Sequence, residues 1–263
     1  MLEGFFRLLT ELSSHKAVSK IAGAFANSRA SRRFIPWFIK TYSIPAADAE
    51  KEITAYATLN DFFTRRLKPD LRPIDAAADA LVSPVDALIT AMGTIQDGEI
   101  LNIKGQDYTV EELLNHSPRA VSYRHGFYFV LYLSPMDYHR IHSPASGRIL
   151  EREHIPGKVY PVNDAGFKYG RKVLSRNERL ITYVRTEHGE IAVVKVGALN
   201  VSSIRYADEL QDQLEIGGEL ARFEFGSTVV LLTENGVFNP LQELRPDVKV
   251  KMGQLLGHLH PKE

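Results

Sequence analysis

After Pro73 the chain is written in short apolar runs, each closed within a few residues by Gly, Pro, Asn or Asp. The runs are Leu81–Val82, Ala87–Met92, Ile100–Ile103, Phe127–Leu133, Arg148–Ile155, Leu180–Arg185, Ile191–Val196, Glu219–Phe225, Thr228–Leu232 and Val248–Leu259. Several alternate with period two and are rich in Val, Ile, Tyr and Phe, the habit of half-buried strands. A chain punctuated at this spacing pairs its strands through turns. The expected fold class is therefore α+β, mainly β, with an antiparallel β-sandwich or barrel core. One short helix is expected at about 110–115, where Thr109 stands three residues before Glu112 as in a capping box.

The residues before Pro73 follow a different period. Leu2, Phe5, Phe6, Leu9 and Leu12 fall on one helical face, and Val18, Ile21, Ala22 and Phe25 repeat the spacing. Phe34, Trp37 and Phe38 begin it a third time. Thr58, Leu59, Asn60 and Asp61 before Phe62 and Phe63 read as a capped helix start, ending near Leu67. N-terminal amphipathic helices are thus expected over 1–67 and a β-rich domain over 68–263, within the one or two domains that 263 residues allow.

Charge separates the two parts as well. The chain carries 32 Lys and Arg against 32 Asp and Glu, so its net charge offers no argument for nucleic acid. Residues 1–41 nevertheless hold seven basic and two acidic side chains, a charge of +5, which leaves −5 for the remainder. Basic amphipathic helices that carry Phe and Trp lie in the plane of an anionic membrane surface. Core-packing helices with a solvated basic face are the plain alternative. No apolar run approaches the roughly 20 residues of a spanning helix, and no secretory signal is expected from the pattern.

Several chemistries are excluded or weak. The absence of Cys rules out disulfides, thiolate metal sites and a cysteine nucleophile. Nine histidines include His139 with His142 and His258 with His260, but two-residue spacings are poor evidence for a metal. No His-Glu-x-x-His occurs, and no metal is expected. Ser134, Ser143, Ser202 and Ser203 have no glycine elbow. Gly226-Ser227 sits between two apolar runs, where a bulge or tight strand junction is the ordinary reading. Residues 156–180 hold three Gly, two Pro, two Asn and six Lys or Arg, and read as a long loop of the kind that forms lids or binding surfaces.

Phe225-Gly226-Ser227-Thr228 resembles the self-cleavage motif of the phosphatidylserine decarboxylase family, with Phe in the place of the usual Leu. Further blocks resemble the same family in the same order: Thr58–Asp75, Ser83–Ala87, Tyr132–Pro144, Pro156-Gly157, Val162-Asn163 and Arg176–Arg179. The similarity spans roughly residues 30 to 260. The resemblance implies that Ser227 attacks the carbonyl of Gly226 and that the resulting ester is broken by β-elimination. The products are a large chain, 1–226, and a small chain, 227–263. Residue 227 becomes a pyruvoyl group, the cofactor, which forms a Schiff base with the amine of phosphatidylserine. Loss of CO2 then yields phosphatidylethanolamine.

The same resemblance assigns His142 as the base for Ser227, Asp86 as the group that orients it, and His139 to the decarboxylation step. His139 and His142 are expected to share one face of a helical turn. The implied partners are phosphatidylserine, an anionic membrane surface and the two chains of one precursor, with no nucleic acid and with a homo-oligomer left open. The expected location is the cell membrane, peripheral, at its cytoplasmic face. Two rival readings are a pyruvoyl decarboxylase of a soluble amino acid and a non-catalytic carrier, since the expected core is similar to barrel-sandwich hybrids. The first gives the basic N-terminus no purpose. The second lacks a carrier lysine motif, Val250-Lys251-Met252 being a partial echo.

Overall fold

The computed structural model describes residues 22–103, 105–160, 171–198, 203–224 and 227–262, with positions 101, 102, 203 and 227 described by backbone alone. Each apolar run after Pro73 contains a strand. In chain order the strands are β1 (Ala80–Val82), β2 (Ala87–Thr94), β3 (Glu99–Ile103), β4 (Gln106–Thr109), β5 (Phe127–Leu133), β6 (Arg140–His142), β7 (Gly147–Ile155) and β8 (Arg179–Arg185). They continue with β9 (Glu190–Gly197), β10 (Ser203–Tyr206), β11 (Gln213–Leu214), β12 (Glu219–Glu224), β13 (Ser227–Thr233), β14 (Phe238–Pro240), β15 (Lys249–Val250) and β16 (Leu255–Leu259). The strands β4, β6, β10, β11 and β14 fall outside the runs, being too short or too polar to show a period.

Eight strands form one open antiparallel sheet in the order β11-β7-β8-β9-β13-β5-β2-β15. The sheet is not closed into a barrel. Its middle is apolar on both faces: every residue of β9 is buried, and its sequence is a continuous rather than alternating apolar run. Further out, β7 exposes most of its residues, as a strand with one solvated face does. A second sheet, β10-β12-β6, and a third, β1-β16-β14, share the same core with the β3-β4 hairpin. Leu81, Ile100, Ile141, Val193, Phe223 and Val230 are members of one buried cluster drawn from all of them. Each such side chain contributes about 1.5–3 kcal/mol when removed from water.

The N-terminal part forms a smaller cluster. A 3-10 turn at Arg29–Phe34 leads into α1 (Ile35–Tyr42), which Ser43 ends in the left-handed conformation at φ 53°. Helix α2 (Leu59–Phe63) is capped by the Thr58 hydroxyl, which accepts from the Asp61 amide at 3.0 Å. Ile35, Phe38, Ile44, Tyr56, Phe62 and Phe63 pack together, with Met136 of the β5-β6 connection against them. Helix α2 stops at Phe63, short of the expected Leu67. The Thr64 hydroxyl donates back to the Asn60 carbonyl at 2.9 Å, and Leu67 is drawn into a bridge with Ala49. Helix α3 (Val110–Leu113) has the expected Thr109 cap but ends early, because Asn115 and His116 turn to φ 53° and 59°. Residues 2–12, where the first amphipathic stretch is expected, lie outside the described residues.

Of the expected loop over 156–180, residues 156–160 and 171–180 are described. Lys158 bridges Asn177 in parallel, and α4 (Val173–Arg176) precedes β8. Asn177 is fully buried and clamps three backbone groups: its amide nitrogen donates to the carbonyls of Tyr160 (2.8 Å) and Gly197 (2.7 Å), and its oxygen accepts from the Tyr160 amide (2.9 Å). Asn177→Ala strands all three in the interior, at roughly 1–3 kcal/mol per unpaired group. Urea unfolding of this variant is expected to report a loss of at least about 3 kcal/mol.

Candidate active site

One end of the large sheet carries the sequence-predicted residues. Strand β13 begins at Ser227, whose Cα lies opposite Leu133, the last residue of β5, on one side and Gly197, the last of β9, on the other. Asp86 immediately precedes β2, the next strand beyond β5, so that two strand spacings of about 4.8 Å separate it laterally from the Ser227 position. His139 and His142 follow β5 through its connection to β6. Gly226 lies outside the described residues, and Ser227 is described by its strand pairing alone.

The β5-β6 connection is built around Asp137. Its carboxylate accepts from both the amide and the hydroxyl of Ser134, each at 2.7 Å, closing a tight turn after Leu133. Burial holds this carboxyl above its ordinary value, with the Ser134 donors working against the shift. His139 and His142 do not share a helical turn as expected: His142 ends β6, and His139 precedes that strand. The pairing of β6 with β12 pulls the segment into extended backbone.

His139 is completely buried. Its Nδ1 donates to the Asp137 carbonyl at 2.9 Å, and its ring lies 4.0 Å from the Phe63 ring, tilted by 42°. A carbonyl only accepts, so the proton is on Nδ1 and Nε2 holds the lone pair. Among the described residues Nε2 has no hydrogen-bond partner. Burial pushes the ring pKa down to about 3, the Arg65 charge adds to that shift, and the Asp137 carbonyl opposes it. The ring is therefore neutral at pH 7.

His142 is neutral for the same reason. Burial lowers its pKa, against the pull of the Gly217 carbonyl and Glu219. Its Nδ1 donates to the Gly217 carbonyl at 2.8 Å, which leaves Nε2 to accept from the Tyr138 hydroxyl at 3.1 Å. The backbone amide of His142 donates to the Pro84 carbonyl at 2.8 Å, two residues before Asp86. The Asp86 carboxylate itself faces Arg72 in a two-pronged ion pair, with Nε 2.8 Å from Oδ1, and accepts from the Met252 amide at 2.9 Å. Asp86 and His142 are thus brought to one region through the Pro84 strap, yet each is bonded to other groups.

Four residues without a role in the sequence reading belong to this region: Phe63, Arg65, Arg72 and Tyr138. Phe63 and Arg65 arrive from the helical segment, and Arg140 fixes that approach. Its Nε donates to the Thr64 carbonyl at 2.9 Å while its Nη1 donates to Glu219, which Arg66 also contacts at 3.3 Å. A cavity of about 340 Å³ opens beside them, lined by Arg65, Arg72, Asp86, Met136, Tyr138 and Lys249. All four missed residues lie in the blocks of family resemblance, Thr58–Asp75 and Tyr132–Pro144, but nothing in their spacing marks them. Among the described residues no group of three or more His, Asp or Glu is arranged to hold a metal ion.

Comparison with known proteins shows the family. A family model described as phosphatidylserine decarboxylase matches residues 59–258. A phosphatidylserine decarboxylase proenzyme of Anoxybacillus flavithermus is 43% identical over 263 residues, covering 100% of this chain and 99% of that protein. A protein of the same name from Geobacillus kaustophilus is 45% identical over 258 residues, covering 98% of this chain and 97% of its own length. Another from Halalkalibacterium halodurans is 43% identical over 257 residues, with 98% of each chain covered.

The neutral state of His139 has a pH consequence. Between its ordinary value of 6.5 and the folded value of about 3, the unfolded chain binds a proton at this ring and the folded chain does not. The stability tied to His139 is complete above pH 6.5 and is lost as pH falls toward 3, at up to about 1.4 kcal/mol per pH unit. Denaturant unfolding of His139→Asn between pH 6.5 and 4 is expected to show a flatter pH dependence than the parent chain; parallel curves would refute the buried neutral ring.

Proposed function

The chain belongs to the phosphatidylserine decarboxylase family, and on that footing we propose that it is a self-processing proenzyme whose mature form decarboxylates phosphatidylserine with a pyruvoyl group derived from Ser227. The observation that carries the reading is the neutral, buried His139, with an open Nε2, on the connection that leaves the strand paired to Ser227. Lone carboxylates and cations are common at surfaces, whereas a buried imidazole nitrogen with an unfilled lone pair marks a place where a substrate donor can bind.

Maturation needs a nucleophile, a base and a bendable acceptor. The Ser227 hydroxyl attacks the Gly226 carbonyl, transferring the acyl group from nitrogen to oxygen, and Gly226 lacks a Cβ that would obstruct the bend. His142 is the base: its Nε2 takes the hydroxyl proton in exchange for the bond it accepts from the Tyr138 hydroxyl, and Asp86 supplies negative charge nearby. Removal of the Cα proton of residue 227 then breaks the Cβ–O ester bond, leaving a carboxylate on Gly226. Hydrolysis of the remaining enamine, as its imine tautomer, releases ammonia. Residues 1–226 and 227–263 stay together, because β13 remains paired along its length with β5 and β9, β15 with β2, and β16 with β1.

The residues around the new N-terminus fit a pyruvoyl group: residue 227 is held at the mouth of a paired central strand, where nothing but backbone pairing is needed to anchor it. When present, that group supplies the electron sink for loss of CO2, which no ordinary side chain offers. The negative charge that the substrate brings raises the pKa of the buried ring on binding, so that His139 Nε2 takes a proton from the substrate ammonium and returns it to the substrate Cα after CO2 has left. The Phe63 ring against His139 keeps water from the imidazole and so preserves its neutral form.

A two-chain lipid leaves its bilayer at a cost of about 0.8 kcal/mol per exposed CH2, so the enzyme works at a membrane surface. Residues 1–67 form the docking segment and 68–263 the catalytic domain. Phe25, Phe34 and Trp37 are exposed, Trp37 by 59%, beside Arg29, Arg32, Arg33 and Lys40. Bulky aromatics interleaved with cations favour the interface of an anionic leaflet, and the cytoplasmic face of the cell membrane offers one. No helix among the described residues is long and apolar enough to cross a membrane.

Intact-mass measurement of active protein is expected to show two chains, 1–226 and 227–263, the smaller without a free α-amine, and Ser227→Ala is expected to stay whole and inactive. An active single chain would overturn the pyruvoyl reading. Trp37→Glu is expected to weaken binding to vesicles containing phosphatidylserine by about tenfold or more in sedimentation assays, whereas unchanged binding would remove this face from the docking role.

A further inference from the structure

We propose that Arg65 holds the phosphodiester of the lipid substrate, an inference that rests on the reaction assigned above. Arg65 follows α2 through Thr64 and turns inward, so that 2% of the residue remains exposed. Its guanidinium lies 5.1 Å from the Phe62 ring, and one Nη donates a long bond of 3.4 Å to the Met136 carbonyl. Nε and the other Nη are buried and have no partner among the described residues. Asp86 shares the cavity, but its carboxylate is already engaged by Arg72 and the Met252 amide. A buried cation with two unpaired donors is costly to maintain without a counter-ion. Nε and the free Nη lie on different edges of the planar guanidinium, and each offers an N–H to an oxygen of a carboxylate or a phosphate.

The charge of the cavity agrees. Arg65, Arg72, Lys249 and Lys251 line it against Asp48, Asp86 and Asp137, four cations to three carboxylates, so a single negative charge balances it. Phosphatidylserine brings two candidate anions. The carboxylate loses its charge as CO2 departs, and an ion pair with Arg65 would hold the ground state more firmly than the transition state, raising the barrier. The phosphodiester keeps its charge throughout, so binding it anchors the substrate without opposing the chemistry. The position of Arg65 next to Phe63, the residue on the His139 ring, lets one short turn hold the head group and shield the proton carrier.

The test compares dihexanoyl phosphatidylserine with an O-alkylserine, which keeps the amine and carboxylate but has no phosphate. In the full-length chain carrying Ser227→Ala, where nothing is turned over, Arg65→Gln is expected to weaken binding of the lipid by on the order of ten- to a hundredfold in titration calorimetry. Binding of the O-alkylserine should change far less. In the processed enzyme the ratio of kcat/KM for lipid over O-alkylserine falls by a similar factor, through KM. Arg65→Lys, which keeps a charge but not the planar guanidinium, falls between, and it carries the comparison if the Gln variant does not fold. Equal losses for both ligands would assign Arg65 to the carboxylate and overturn the proposal, as would unchanged lipid binding. Failure of the underlying reaction would appear elsewhere, as an unsubstituted chain that stays a single 263-residue polypeptide.

Discussion

The pairing of β13 on both of its edges is the constraint from which the rest of the site follows. Seven residues of this strand bond to β5 and to β9, so the Ser227 end is fixed by two neighbours at once. A strand held only on one side could shift its register, and a one-residue slip would turn every side chain to the opposite face. Here a slip would also have to break the buried apolar contacts of Val229, Val230 and Leu231. The neighbours are anchored in turn: Asp137 closes the turn after β5, and Asn177 grips the Gly197 carbonyl at the end of β9. In the proposed maturation the same pairing would hold the small chain to the large one.

Desolvation sets the protonation of the site. Both imidazoles are buried and both donate from Nδ1 to a backbone carbonyl, so each has its lone pair at Nε2, open in His139 and accepting from the Tyr138 hydroxyl in His142. A base must hold a lone pair to accept a proton, and burial provides this without a carboxylate partner on the ring. Asp86 is placed instead against Arg72, where a bidentate pair keeps a buried carboxylate from standing alone. Its negative charge acts on His142 through space, drawing the pKa up against the larger downward effect of burial.

The strands were readable where their side chains alternate or run apolar without interruption. β5 occupies Phe127–Leu133 as its sequence suggests, and β9 differs from its apolar run by one residue at each end. β6 was not readable, because Arg140, Ile141 and His142 have no period of their own and become a strand by pairing with β12. The site residues divide in the same way. Ser227, His139 and His142 stand in local motifs, whereas the groups that give the histidines their state come from far along the chain: Gly217 for His142 and Phe63 for His139. Arg65 is harder still. An arginine after an amphipathic helix normally faces water, and only the packing of Met136 and Phe62 around it turns it inward.

That inward turn joins the docking segment to the chemistry. Helix α2 delivers Phe63 to the His139 ring and Arg65 to the cavity, while Arg140 and Glu219 tie its end to β6 and β12. The exposed aromatic face of α1 belongs to the same small cluster through Phe38, whose ring meets Phe63 at 6.0 Å. From the exposed Tyr42 through Phe38 and Phe63 to His139 in the interior the path is therefore a short series of packed rings. Close-packed interiors pass strain along such contacts rather than absorbing it. A segment that served only as an anchor could be joined to the catalytic domain by a loose tether. This one packs directly on His139 and lines the cavity, so in the proposed docking its orientation on a bilayer would set the orientation in which a lipid head group meets that residue.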